Sequence, residues 1–370
     1  MPPLGEPMSS SKRLPWFAAT VFLIAVFAAA MFAGRARHSS SVVDAAAAPD
    51  AGASGYHLIK TIKLGGEGFW DYLEFDSSTR RLFISRATKV IVLDVDSEKV
   101  VGEIPDTQGV HGIALAPDLG KGFTSNGGAN TVTIFDLKTL QVLGTAKTDT
   151  GPDAITYDPA TERVFTMNGR SNDSTAIDAK SGDVVGTIPL DGRPESTVAD
   201  GLGHVYVNLE NKNEIVEIDS KKLAVMATWP VAPAVSPAGL AIDAKNRRLF
   251  SGCHNKMMAI LDADTGKLIT TEPIGVGVDA DRFDPGPGFA FASTGSGVLS
   301  VIHEDSPDKF TFVEDVPTQQ GARTMALDSK THQVFLVTAQ FTPPPAPTPD
   351  NPHPRGGPVP DSFVVLVFGR

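Results

Sequence analysis

The sequence predicts an all-β chain, a seven-bladed β-propeller preceded by one N-terminal hydrophobic helix. Three observations predict it. An aromatic recurs in seven short apolar runs, at Phe83, Phe123, Phe165, Tyr206, Phe250, Phe291 and Phe335. The spacings are 40, 42, 41, 44, 41 and 44 residues, the period of four-stranded blades. Between these aromatics, apolar and polar residues alternate over runs rich in Val, Ile, Thr and Phe, broken by turns of Asp, Gly, Pro and Asn. No unit holds ten residues of helical periodicity.

The elements follow in chain order. Residues 1–15 carry Lys12 and Arg13 and read as a cytoplasmic n-region. Residues 16–34 are nineteen in a row without charge, long enough at about 1.5 Å each to cross a bilayer core. This is a membrane anchor or, if cleaved, a signal segment whose apolar core is longer than usual. Either reading puts the rest of the chain in the periplasm or another extracytoplasmic space, tethered to the inner membrane or released. Residues 35–55 form a flexible Ser/Ala/Gly tether, and 56–370 form the propeller.

One blade can be read whole. Residues 152–157, 163–168, 174–178 and 183–190 are its four strands, and Asp, Gly and Ser turns join them. The seventh unit has only three strands. An orphan strand at 56–64 precedes the first unit and resembles the fourth strand of the others. Pairing it with the C-terminal strands closes the ring and protects its edges.

Composition narrows the function. The 370 residues carry a net charge of −11, a poor match for nucleic-acid phosphates. A local basic patch from Arg86, Arg170, Arg193 and Arg323 is the one feature that would favour single-stranded nucleic acid. The single cysteine, Cys253, excludes an internal disulfide framework, CxxC metal sites and covalent c-type haem. HExxH, GxSxG, Walker and dinucleotide signatures are missing.

The segments 123–126 (FTSN) and 165–168 (FTMN), followed by TVTIFDLKT and STAIDAKSG, resemble the YVTN repeat of the YncE-like seven-bladed β-propeller family. The segment 206–209 is a looser match. The resemblance covers 56–370. It implies the same architecture and an exported bacterial protein, and it implies no uniform activity. The long N-terminal apolar stretch and a Pro-rich insertion in blade seven depart from the family pattern.

Strand direction sorts the turns onto two faces. The Asp-led turns after strands one and three resemble one another and read as self-capping punctuation, with calcium loops as the minor reading. The opposite face carries loops that differ from blade to blade, as a recognition face does. At the start of each innermost strand, eleven or twelve residues before the aromatic, stand Asp71, His111, Asp153, Glu195, Ala238, Asp279 and Arg323. Six of the seven are ionisable, so they are expected to ring the channel mouth. Clustered carboxylates raise one another's pKa and attract cations. The plainer reading is that they only solvate the rim. Three residues after the aromatic come Arg86, Asn126 and Asn168, with His254 one further on, all able to bond a polar ligand. Trp70 beside Asp71 could stack on a ring or cation. Cys253 beside His254 is a weak candidate thiol, and Asp279 with Asp281 a weak candidate metal pair.

Residues 341–361, with nine prolines, form an extended insertion. It reads as a lid, a partner-docking segment or a tolerated surface loop. The sequence as a whole reads as a monomeric binding or interaction module taking a small polar or cationic ligand, or a protein partner, on its variable face. No resident cofactor is implied, although a divalent cation could sit at the mouth. The alternative is a metal-assisted, lactonase- or lyase-like enzyme using that mouth, with His111 or His254 as general acid–base.

Overall fold

The computed structural model describes residues 53–346, 348 and 356–370. The apolar segment 16–34 and most of the tether lie outside the described residues. Among the described residues no helix is long and apolar enough to cross a membrane. The strands form seven antiparallel sheets of four. Blade one runs outward through Trp70–Asp76, Arg81–Arg86, Lys89–Asp94 and Lys99–Ile104. The innermost strands of the next six blades begin at Val110, Pro152, Pro194, Pro237, Val278 and Met325. Each packs against the next, and Met325–Asp328 packs against Trp70–Asp76, so the ring is closed.

Closure is made as the sequence predicts. The strand His57–Lys63 pairs antiparallel with Val364–Gly369 and completes the seventh sheet. Tyr56 anchors it. That side chain is buried, and its hydroxyl donates to the His332 carbonyl at 2.9 Å. Ser54 adds two bonds to Glu314.

The seven repeat aromatics are the core: all are fully buried. A buried Phe contributes about 2–3 kcal/mol by area alone, so this one column supplies much of the driving force. Neighbours are shaped to it. A Cβ on Gly122 would lie 2.1 Å from the Phe135 ring, which packs directly on that backbone beside Phe83. The outermost strands expose apolar pairs, such as Val100 with Val101 and Val184 with Val185, because nothing covers the rim.

The Asp-led turns are punctuation, as read. Asp136 accepts the Lys138 and Thr139 amides at 3.0 and 2.7 Å. Asp178 accepts those of Lys180 and Ser181 at 2.9 and 2.8 Å. In both, the carboxylate Oδ1 caps its own turn.

One feature repeats at the other end. The innermost strands lose register between Trp70 and Leu73, Val110 and Ile113, Pro152 and Ile155, Pro194 and Thr197, Pro237 and Gly239, and Val278 and Ala280. A bulge leaves residues unpaired and re-aims their side chains. Six blades place a bulge at the position the sequence assigns to the channel mouth.

Candidate functional site at the channel mouth

The bulged residues are Asp71, His111, Asp153, Glu195, Ala238 and Asp279, and Arg323 precedes the short innermost strand of blade seven. Their side chains converge. His111 Nδ1 lies 2.7 Å from Asp71 Oδ2 and 3.6 Å from Asp153 Oδ1. Arg323 Nε lies 3.3 Å from Asp279 Oδ2. Burial pushes Glu195 up to about 8, and the Asp153 and Asp279 charges add to it. Burial pushes Asp279 up to about 7, with Arg323 opposing and Asp71 and Asp153 adding. Asp153 is raised by burial against the pull of His111. The hydrogen bond that His111 donates to Asp71 raises the His111 pKa, which Asp153 and Glu195 reinforce. Six side chains from six blades thus share one electrostatic environment. Four carboxylates face the Arg323 guanidinium and one imidazole, with the Arg193 guanidinium 3.8 Å from Glu195 beside them, so carboxylates predominate at the mouth.

Serines on the second strand hold the bulges. Ser85 Oγ accepts the Asp71 amide at 2.9 Å and donates to the Tyr72 carbonyl at 3.1 Å. Ser125 Oγ accepts the Gly112 amide at 2.8 Å and donates across the blade boundary to the Asp153 carbonyl. Ser293 donates to the Arg323 carbonyl. Asn208 does the same work toward Ala238 and Gly239, at 3.2 and 2.8 Å. These four sit two residues after the repeat aromatic, a column that sequence reading passed over.

Tyr72 and Glu210 were also missed. Burial first, then Asp153, Glu195, Asp71 and Asp279, hold the Tyr72 phenol well above its ordinary value, so it stays neutral beside the carboxylates. Glu210 pairs with Arg193 and lies 3.6 Å from His254 Nε2. A signal for Glu210 was present. Four residues after each aromatic the chain has Ala87, Gly127, Gly169, Glu210, His254, Gly295 and Ala339. The small residues give room: a Cβ on Gly127 would lie 2.9 Å from the His111 ring. The two exceptions face each other. His254 is therefore at the edge of the mouth, its pKa lowered by burial, Arg193 and Arg323.

Other expectations need correction. Asn126 and Asn168 are fully buried inside their blades. Asn126 bonds Thr124, Thr131 and Thr133, and Asn168 bonds Thr166, Asp173 and Thr175. Both Nδ2 donors of each are used by strand-end knots, and their full burial keeps the amides from a ligand. Trp70 and Arg86 turn from the mouth to the seam of blades one and seven. The Trp70 ring lies 5.0 Å from Phe363, and the Arg86 guanidinium stacks 3.9 Å over that same ring. Asp279 and Asp281 do not act as a pair. The bulge before Ala280 breaks the two-residue side alternation, and Asp281 is buried against the Gly252 amide. Burial holds the Cys253 thiol up at about 12, so it is packing.

Asp71, His111 and Asp153 each offer a ligand atom within 4.8 Å of the others. Two carboxylate oxygens and an imidazole nitrogen suit a first-row divalent ion better than calcium, which prefers an all-oxygen shell. Binding would displace the His111–Asp71 hydrogen bond. The insertion's ends pair, Thr342 N to Gly357 O at 2.9 Å and Val359 N to Gln340 O at 2.7 Å. Its middle, residues 347 and 349–355, lies outside the described residues.

No family model matches the chain, and no curated protein matches it in sequence. Solved structures match its fold. A hydrazine synthase chain from Kuenenia stuttgartiensis superposes with a TM-score of 0.65 at 14% identity, over 74% of this chain and 94% of that one. A chain of a mitotic checkpoint complex gives 0.67 at 15%, over 85% and 95%. The U3-55K structure gives 0.69 at 9%, over 83% and 97%. At such identities the likeness is one of fold: the chain is a seven-bladed β-propeller, and the architecture by itself assigns no function.

Proposed function

We propose that this chain is a binding module whose channel mouth captures a small cationic ligand. The observation that carries the reading is the convergence of Asp71, Asp153, Glu195 and Asp279, from four blades, on one half-buried pocket of charge. Carboxylates crowded in a half-buried site repel each other, and a cation relieves that repulsion. Arg323 at one side and His111 at another make the ring asymmetric, so it orients what it binds. Membership of the YVTN, YncE-like family belongs to the same proposal. It is supported by the buried Asn126 and Asn168 knots, which give those motif residues a structural reason. The apolar run at 16–34 supports an extracytoplasmic, membrane-tethered placement.

A second reading is favoured by one observation. The compact Asp71–His111–Asp153 group could hold a divalent ion and support metal-assisted, lactonase- or lyase-like chemistry. The test is calorimetric titration of the full chain with manganese(II) alone and with a diamine alone. Saturable binding of either, lost in Asp153→Asn, supports the cation site. Manganese binding that also requires His111 favours the second reading. Binding of neither at about 10 mM contradicts both.

A further inference from the structure

Arg86 is 4% exposed, yet among the described residues no carboxylate pairs with it. A buried guanidinium normally has a counter-ion, because taking the charge out of water is costly. Here it has only two backbone carbonyls: Nη1 donates to Gly68 O at 3.0 Å, and Nη2 to Glu67 O at 2.8 Å. The glycines on either side of Glu67 permit this. Gly66 and Gly68 both have positive φ, +75° and +102°, which lets the backbone fold its carbonyls onto the guanidinium. Phe363 fixes the guanidinium plane from one face at 3.9 Å. Arginine has five N–H donors, so three remain.

A cavity of about 210 Å³ opens beside this group. Trp70, Phe363, Pro358 and Pro360 contribute to its walls, and among the described residues Arg86 is its one cationic side chain. The geometry points to a second binding site, separate from the channel mouth, for a small organic monocarboxylate with an apolar or aromatic body. The planar guanidinium fork matches a carboxylate, while the indole and proline walls take the apolar remainder. Glu67 sets the charge. Its exposed side chain borders the cavity and makes no ion pair among the described residues, so it disfavours dianions. Phosphate is therefore a poor fit. The proline insertion gains a role here, since its returning end supplies two walls of the cavity.

The test uses the full chain with benzoate and inorganic phosphate as probes, read by calorimetry and by the Trp70 indole N–H resonance. Benzoate is expected to bind saturably and shift that resonance, with phosphate at least about tenfold weaker. Arg86→Lys keeps the charge and loses the fork, and should weaken benzoate about tenfold. Glu67→Gln alters only an exposed side chain and decides the matter if Arg86→Lys fails to fold: it should tighten benzoate about threefold. No benzoate binding at about 10 mM, equal or tighter phosphate binding, or unchanged affinity in Glu67→Gln would overturn the site.

Discussion

The two ends of this ring are both rich in carboxylates, and they use them in opposite ways. On the turn face, Asp136 and Asp178 accept amides from residues two and three positions ahead, and those bonds hold their pKa values below the ordinary range. At the channel mouth, burial and neighbouring charge raise Glu195 and Asp279 to about 8 and 7. The residue types are nearly the same. What differs is where the partners come from. A turn supplies donors from its own backbone, whereas the mouth gathers carboxylates from distant blades with few donors to share. Locally satisfied acid is punctuation, and acid assembled over long range is available for a ligand.

The largest expected effect is on binding. Asp153→Asn should lower manganese or diamine affinity by at least about tenfold, while Asp178→Asn on the turn face should change it less than about twofold. Equal effects from both faces would erase the distinction. Binding should also tighten about tenfold between pH 6 and 8 and release protons, because Glu195 and Asp279 ionise as the cation enters. A flat profile in calorimetry run in two buffers would contradict that.

Stability gives a smaller contrast of opposite sign. A folded-state pKa raised above the unfolded one carries stability that is fully present below about pH 4 and is lost as pH rises to about 8. Glu195→Gln should therefore stabilise the ring by on the order of 2 kcal/mol at pH 9 and by little at pH 4. Asp76 on the turn face runs the other way. Burial opposes its charge, but the Ser78 and Thr79 hydroxyls and amides outweigh it and lower its pKa. Its contribution is present above about pH 4 and lost as pH falls through its lowered value. Asp76→Ala should cost about 1–2 kcal/mol at pH 7 by denaturant melts, and progressively less in acid. A matching sign for both variants would break the comparison.

Much of this was legible in the sequence, for a physical reason. A repeat fixes equivalent positions, so the aromatic column, the Asp turns and the six mouth residues could be aligned without coordinates. Closure by the orphan segment 56–64 followed from counting strands, and the strand observed there is His57–Lys63. What could not be read is what the bulges do. They break the two-residue alternation, which is why Asp279 reaches the mouth while Asp281 is buried two residues on. Asn126 and Asn168 looked like strand-end ligands, because sequence does not show that Thr131, Thr133 and Thr175 already use them. Trp70 and Arg86 left the mouth for a similar reason: their partner, Phe363, is nearly three hundred residues away in sequence. Ser85, Ser125 and Ser293 were invisible because a small polar residue in a strand carries no signature until its partners on the bulge or the next blade are known.

The convergence at the mouth is tested most directly by a carboxyl carbon NMR titration of the full chain, with Glu195 assigned through Glu195→Gln. The account predicts a Glu195 midpoint near 8 that moves down when Asp153→Asn removes its strongest charged neighbour. A midpoint in the ordinary glutamate range, indifferent to Asp153, would mean that the blades do not bring these charges together.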